Sequence, residues 1–149
     1  NGKMILQNIE MAEWFTETYY KEVIDFFMQP MNIYGNDMLA KTLKVALHKR
    51  IIHADDFLLE DDELISKLQQ CNDPEVEVLL SKVHPNIKVK EDRNDYDLHQ
   101  KNKVRLIDPP LLCEDEVIHS SVVSESIRQM NDIAYEKAVR GMYVKVISD

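Results

Sequence analysis

The sequence predicts an α+β protein in which a helical N-terminal half is followed by a small, mainly antiparallel sheet with one helix. Three observations lead to this fold class. Apolar residues recur at helical spacing up to about residue 85, then alternate with charged residues in short stretches, and return to helical spacing after residue 124. We therefore expect a helical region over residues 1–85 and a small α+β subdomain over residues 86–149.

Two long helices are expected after a short strand at Lys3–Gln7. The first helix spans residues 10–28, and its wide aromatic stripe predicts heavy burial. That stripe consists of Met11, Trp14, Phe15, Tyr19, Val23, Phe26 and Phe27. Pro30 should end or restart the helix, because proline disrupts a helix interior. Gly35 is expected to weaken the first part of the second helix, and Asn36 or Asp37 could cap a restart after it. The apolar stripe of this helix is Met38, Leu39, Leu43, Ala46 and Leu47.

Two shorter helices follow a connector at residues 51–60. Asp61 is expected to cap the first of them, which carries Leu64, Ile65 and Leu68. Asp73 followed by Pro74 predicts a second start, because aspartate is a favoured cap and proline suits the first helical position. Val76, Leu79, Leu80 and Val83 would form its buried face, and His84-Pro85 ends it.

The second half alternates apolar and basic residues with the period of a half-buried strand. The two stretches contain Ile87 and Val89, then Val104 and Leu106, between Lys88, Lys90, Lys103 and Arg105. The proline pair after Asp108 should end the second strand, and Glu116–His119 suggests a third. Ser124 is placed to cap a helix that Gly141 closes in a left-handed conformation, and Met142–Ile147 is expected to be the last strand.

Charge and composition limit the possible functions. The net charge of −9 argues against broad binding to nucleic-acid phosphates, which needs a basic surface. No apolar stretch reaches the roughly 18 residues of a membrane span. Cys71 and Cys113 are expected to be free thiols in a reducing compartment, which predicts a cytoplasmic protein. The chain begins with Asn1 and lacks signal-peptide features, so its start could be a cut point or a cloning scar.

No catalytic, cofactor-binding or metal-ligating residue is predicted in this chain. The five histidines lack zinc-helix spacing, and the sequence has neither a glycine-rich phosphate loop nor a nucleophile elbow. The stretch His53-Ala54-Asp55-Asp56 and the acids that follow are interpreted as a solvated helix entry rather than a cation site. Acidic neighbours should raise the pKa of both cysteine thiols, which disfavours a nucleophilic role.

The sequence contains two candidate binding surfaces. The aromatic residues of the first helix could stack on a base, but at helical spacing they are better explained as core or a subunit interface. Lys88, Lys90 and Arg105 could form a nucleotide-phosphate patch on adjacent strands, but a solvated sheet face explains them better.

Several segments, in order, resemble a known family. They are Asn1-Gly2-Lys3-Met4-Ile5-Leu6, the aromatic helix from Glu13-Trp14-Phe15 to Phe27-Met28-Gln29-Pro30, Met38-Leu39, Asp61-Asp62-Glu63-Leu64, Asn72-Asp73-Pro74, Lys103 to Pro109, and Gly141 to Val146. Together they resemble the region that follows the catalytic core in HD-superfamily phosphohydrolases, including bacterial dNTP triphosphohydrolase-like proteins. The resemblance covers nearly the whole chain.

The resemblance implies a C-terminal structural and oligomerisation region of a metal-dependent enzyme that acts on nucleotides or related phosphoesters. The divalent metal would lie in an HD core outside this chain, and the parent would form a homo-oligomer. The sequence departs from the family at Tyr19, where dNTPases place a phosphate-facing Arg, at Phe27, where they have Tyr, and at Gln29, where they have His. The alternatives are a non-enzymatic protein-interaction module and a nucleotide-sensing module.

Overall fold

A computed structural model describes residues 4–147 and confirms the α+β class. Its α-helices are α1 Ile9–Tyr20, α2 Pro30–His48, α3 Asp61–Gln69, α4 Pro74–Leu80, α5 Ser120–Val123 and α6 Glu125–Arg140. Its strands are β1 Val89–Glu91, β2 Leu98–Gln100, β3 Pro110–Cys113, β4 Glu116–His119 and β5 Met142–Val146. A π-helical segment at Lys21–Phe26 continues α1, and a 3₁₀ turn occupies Ala54–Leu58. The first three residues and the last two lie outside the described part.

The chain forms two compact units. Unit 1 consists of Asn1–Gln29 and His99–Tyr143, and unit 2 consists of Pro30–Leu98 and Val144–Asp149. Each unit therefore combines segments from both sides of residue 85. The domain boundary expected at that residue stays a prediction.

In unit 1, α1 and its π-helical continuation pack against α6. One apolar cluster consists of Leu6, Ala12, Leu111 and Ile127, and a second consists of Tyr20, Ile24, Met28 and Ala134. The expectation of a heavily buried aromatic stripe is only partly correct. Trp14 is 63% exposed, and Phe26 and Phe27 are about half exposed, because the face of α1 toward α6 is taken by small residues and tyrosine instead.

In unit 2, α2 packs against α4 and β1. The core cluster consists of Ala46, Ile52, Leu68 and Val76, with Leu43, Ile65 and Leu80 packed around it. The expected interruption near Gly35 is wrong, since α2 runs without a break from Pro30 to His48. The fixed φ of proline suits the first position of a helix, so Pro30 starts α2 and no second cap is needed.

Helix caps follow the sequence signals closely. The Asp73 carboxylate accepts hydrogen bonds from the backbone N–H groups of Glu75 and Val76, both at 3.1 Å. Ser124 Oγ accepts one from the N–H of Ile127 at 3.1 Å. The helix cap expected at Asp61 is wrong, because Asp61 is the first residue of α3 and Glu60 occupies the cap position.

The strands are shorter than expected, and one was placed wrongly. The stretch around Val104 and Leu106 is irregular, and the second strand is instead β2. Pro110 does not terminate a strand but starts β3, a position where its missing N–H is tolerated. Strands β3 and β4 form an antiparallel hairpin whose two turn residues, Glu114 and Asp115, have φ values of 46° and 68°.

The remaining strands form a three-stranded sheet in the order β1-β5-β2. Strand β5 pairs antiparallel with β1, so that Val89 faces Val146. The strand expected at Lys3–Gln7 is reduced to a single parallel bridge between Leu6 and Leu111, and Lys3 lies outside the described residues. Among the helices of residues 4–147, none is long and apolar enough to cross a membrane.

Candidate functional site

The first candidate site is a cleft in unit 1 between the α1–π-helix segment and α6, with a volume of about 200 Å³. Its apolar lining includes Tyr20, Ile24, Met130, Ile133 and Ala134. These side chains come from positions that repeat at helical spacing on both elements, so the two faces meet along their length. The apolar lining would favour a ligand with little charge.

Two ion pairs stand at the edge of this cleft. Lys21 Nζ lies 2.7 Å from a carboxylate oxygen of Glu17, one helical turn earlier. Lys137 Nζ lies 2.9 Å from a carboxylate oxygen of Asp25, which links α6 to the π-helical segment. Because each charge is paired and exposed, these groups contribute little to binding a charged ligand.

Tyr20, which lines the cleft, joins two other segments of unit 1 through its hydroxyl. It donates a hydrogen bond to the Asn131 side-chain oxygen and accepts one from the N–H of Ile107 at 3.1 Å. Burial raises the pKa of the phenol, so it remains protonated at neutral pH. Sequence reasoning missed this junction, because Tyr20 and Asn131 are 111 positions apart and no local pattern connects them.

A second cluster brings together aspartate, serine and histidine. The Asp108 carboxylate accepts hydrogen bonds from Ser121 N at 2.9 Å, Ser121 Oγ at 2.6 Å and Ser120 Oγ at 3.1 Å. His119 Nδ1 lies 3.6 Å from the same carboxylate. Burial acts to raise the pKa of Asp108, but the bonds from Ser121 and Ser120 outweigh it and hold the pKa below its usual value.

These residue types also form nucleophilic triads, but the geometry differs. In a triad the serine hydroxyl donates to histidine and histidine donates to the carboxylate. Here the hydroxyls of Ser120 and Ser121 both donate to Asp108 itself. The Asp108 carboxylate therefore satisfies the N–H of Ser121 in the first turn of the short helix α5, which is a structural role.

The acidic stretch that suggested a cation site is used for structure. Asp56 Oδ2 accepts from the backbone N–H of His53 at 2.7 Å and lies 2.7 Å from Lys67 Nζ. The Lys67 hydrogen bond, followed by that from His53, lowers the pKa of Asp56. Within residues 4–147, no group of three His, Cys, Asp or Glu side chains is arranged to hold a metal ion.

The basic residues considered for phosphate binding do not lie on adjacent strands. Lys90 belongs to β1 in unit 2, whereas Arg105 lies in an irregular segment of unit 1. Lys90 Nζ is 2.9 Å from Asp92 Oδ2, and this hydrogen bond, with those from the N–H groups of Asp95 and Asn94, lowers the pKa of Asp92 to about 2. The expected strand pair at this patch is therefore wrong.

The positions that depart from the family pattern have different surroundings. Tyr19 is partly buried against the cluster around Tyr20, and the two rings meet edge to face at 5.4 Å. Phe27 is half exposed beside Phe26, and Gln29 is exposed. The aromatic residues of the first helix thus divide into a core group and a surface group.

Cys71 and Cys113, as expected, are free thiols.

A protein of Bacillus subtilis (strain 168), described as "Uncharacterized protein YdhJ", is 49% identical over 147 residues. The match covers 99% of this chain and 45% of that protein, so the chain spans less than half the length of the relative. No protein-family model and no solved structure matches the chain.

Proposed function

We propose that this chain is the C-terminal structural and oligomerisation region of a cytoplasmic HD-type metal-dependent phosphohydrolase. The observation that carries the proposal is the ordered series of family-like segments along nearly the whole chain. In the structure these segments correspond to α1 with its π-helical continuation, the start of α2 at Pro30, the Asp73-capped α4 and the passage from α6 through Gly141 into β5. The region would belong to a homo-oligomer.

The length of the relative supports a catalytic domain elsewhere. More than half of the Bacillus protein lies outside the match, which leaves room for an HD core. The metal would be bound there and would supply an activated water for attack on phosphorus. The region described here would pack against that core and against a second copy.

The first helix has a surface suited to that role. Its exposed apolar residues are Met11, Trp14, Phe26 and Phe27. Exposed aromatic side chains are typical of interfaces, where they bury a large area at low entropic cost. Tyr19 cannot bind a phosphate as arginine does, because it offers a single hydroxyl in place of a charged guanidinium with five N–H donors. We therefore expect the parent to hydrolyse a nucleotide or another phosphoester, and we expect no guanidinium of this helix to contact the substrate phosphate.

The test compares the full-length parent with the 149-residue chain. Both are incubated with Mn²⁺ or Mg²⁺ and a panel of nucleoside triphosphates, nucleoside monophosphates and simple phosphoesters. We expect hydrolysis by the parent and none by the chain. A parent that hydrolyses no member of the panel would contradict the assignment, and so would an active isolated chain.

The exposed aromatic surface also favours a second function, a non-enzymatic protein-interaction module. In that case the isolated chain should self-associate through the first helix. Light scattering after size exclusion measures the mass of the wild-type chain and of Trp14→Ala and Phe27→Ala variants, with Tyr135→Ala as an exposed aromatic control on α6. A clean monomer at high concentration would count against an interface role.

A further inference from the structure

Gly35 is an unusual residue for the place it occupies. It lies inside α2, where glycine is less favourable than alanine because it loses more backbone freedom on folding. A Cβ atom at this position would meet no atom within 4 Å. Neither close packing nor a positive φ therefore requires glycine here, and its effect is to leave open space beside the helix.

That space belongs to a cavity of about 380 Å³ within unit 2. The cavity lies between the N-terminal half of α2 and residues 82–87, which connect α4 to β1. Both α4 and β1 contact α2, so the connecting segment is anchored at its two ends. The apolar part of the lining comes from Met31, Leu39, Val83, Pro85 and Ile87. A cavity of this size is within the range of small-molecule sites.

The polar part of the lining contains basic side chains and, among the described residues, no acidic one. It consists of Asn32, Tyr34, Asn36, Lys82 and His84 and includes no acid among the described lining residues. This contrasts with a chain in which 27 acids outnumber 18 bases. The backbone N–H of Asn86 donates to His84 Nδ1 at 3.2 Å, so the neutral ring carries its hydrogen on Nε2 and can donate from there.

We propose that this cavity binds a small organic anion, a carboxylate or phosphate attached to a flat apolar body. The ammonium of Lys82 and the Nε2–H of His84 would hold the anionic group. The apolar body would lie over Gly35, where the missing side chain permits close approach to the helix backbone.

Binding is tested on the 149-residue chain with phenyl phosphate and benzoate, followed by ligand-observed NMR and calorimetry. Inorganic phosphate and phenol represent the anionic group and the apolar body alone. We expect at least one of the two aromatic anions to bind in the millimolar range, which is typical for probes of this size. Its affinity should exceed that of either fragment about tenfold, since both halves of the cavity are then used.

Substitutions locate the binding. Gly35→Leu fills the space and should weaken binding at least about tenfold, whereas leucine is a good helix former and the fold should be kept. Gly35→Ala shows whether the fold accepts a side chain, and its Tm should rise by about 1–4 °C. Lys82→Gln should weaken the binding of the aromatic anions about tenfold and leave the binding of phenol unchanged. Lys44→Gln, at an exposed position of α2 outside the cavity, should change nothing.

Two results would overturn the proposal. One is the failure of both aromatic anions to bind the wild-type chain. The other is equal binding to wild type and to a folded Gly35→Leu variant, with circular dichroism as the check on folding, because the anion would then bind elsewhere.

Discussion

Replacing Gly141 by alanine should destabilise the chain strongly. Gly141 follows α6 with φ of 74° and ψ of −171°, a combination that only glycine adopts readily and that costs other residues about 1–3 kcal/mol. An added Cβ would lie 2.9 Å from Lys101 Cα and closer still to the Gln100 carbonyl oxygen. Relieving this overlap requires a backbone shift, which costs about 1–3 kcal/mol more.

The expected loss is therefore about 2–6 kcal/mol of unfolding free energy, from a total of about 5–15 kcal/mol for an ordinary domain. Urea denaturation followed by circular dichroism measures it. Gly35→Ala is the matched control, because the same change in an open helix interior should stabilise by about 0.5–1 kcal/mol. If Gly141→Ala unfolded at the same urea concentration as wild type, the backbone argument would be refuted.

Three further perturbations test a helix cap, a hydrogen-bonded phenol and an ionised carboxylate. Ser124→Ala removes a buried helix cap and should cost about 1–2 kcal/mol by urea denaturation, whereas exposed Ser126→Ala should be nearly neutral. Tyr20→Phe leaves two partners of the phenol unsatisfied and should cost about 1–3 kcal/mol, with exposed Tyr135→Phe unchanged. The pKa of Asp92 is lowered to about 2 in the folded chain, so its ionised carboxylate stabilises the fold at pH values above the unfolded pKa of about 4. The urea midpoint should therefore fall as the pH drops from about 4 to about 2, and it should fall less in the Asp92→Asn variant.

Local signals predicted much of the fold correctly. The caps at Asp73 and Ser124 and the positive φ at Gly141 depend on a few neighbouring residues, so the sequence carries them directly. The strand expected around Val104 is wrong because strand formation depends on a partner elsewhere in the chain and not on neighbouring residues alone. Alternation shows that a stretch could be half buried in a sheet, but a strand also needs a partner with free hydrogen-bonding groups.

The candidate sites were much harder to predict. Tyr20 and Ile107 meet through the folding of distant segments, and the cavity beside Gly35 needs α2 and the segment after α4 together. The only sequence signal for that cavity was a glycine in a helical pattern. Sequence reasoning interpreted it as a weak point of the helix, and the structure shows an open space.

The sequence by itself determined the fold class, the starts of α4 and α6 and the free thiols, because these follow from spacing, capping chemistry and composition over short ranges. It also carried the family-like order of segments on which the proposed function rests. Only the tertiary structure decided which aromatic residues of the first helix are buried and that the chain divides into two units. Burial depends on which element arrives opposite a given face, and residues far apart in the sequence determine that.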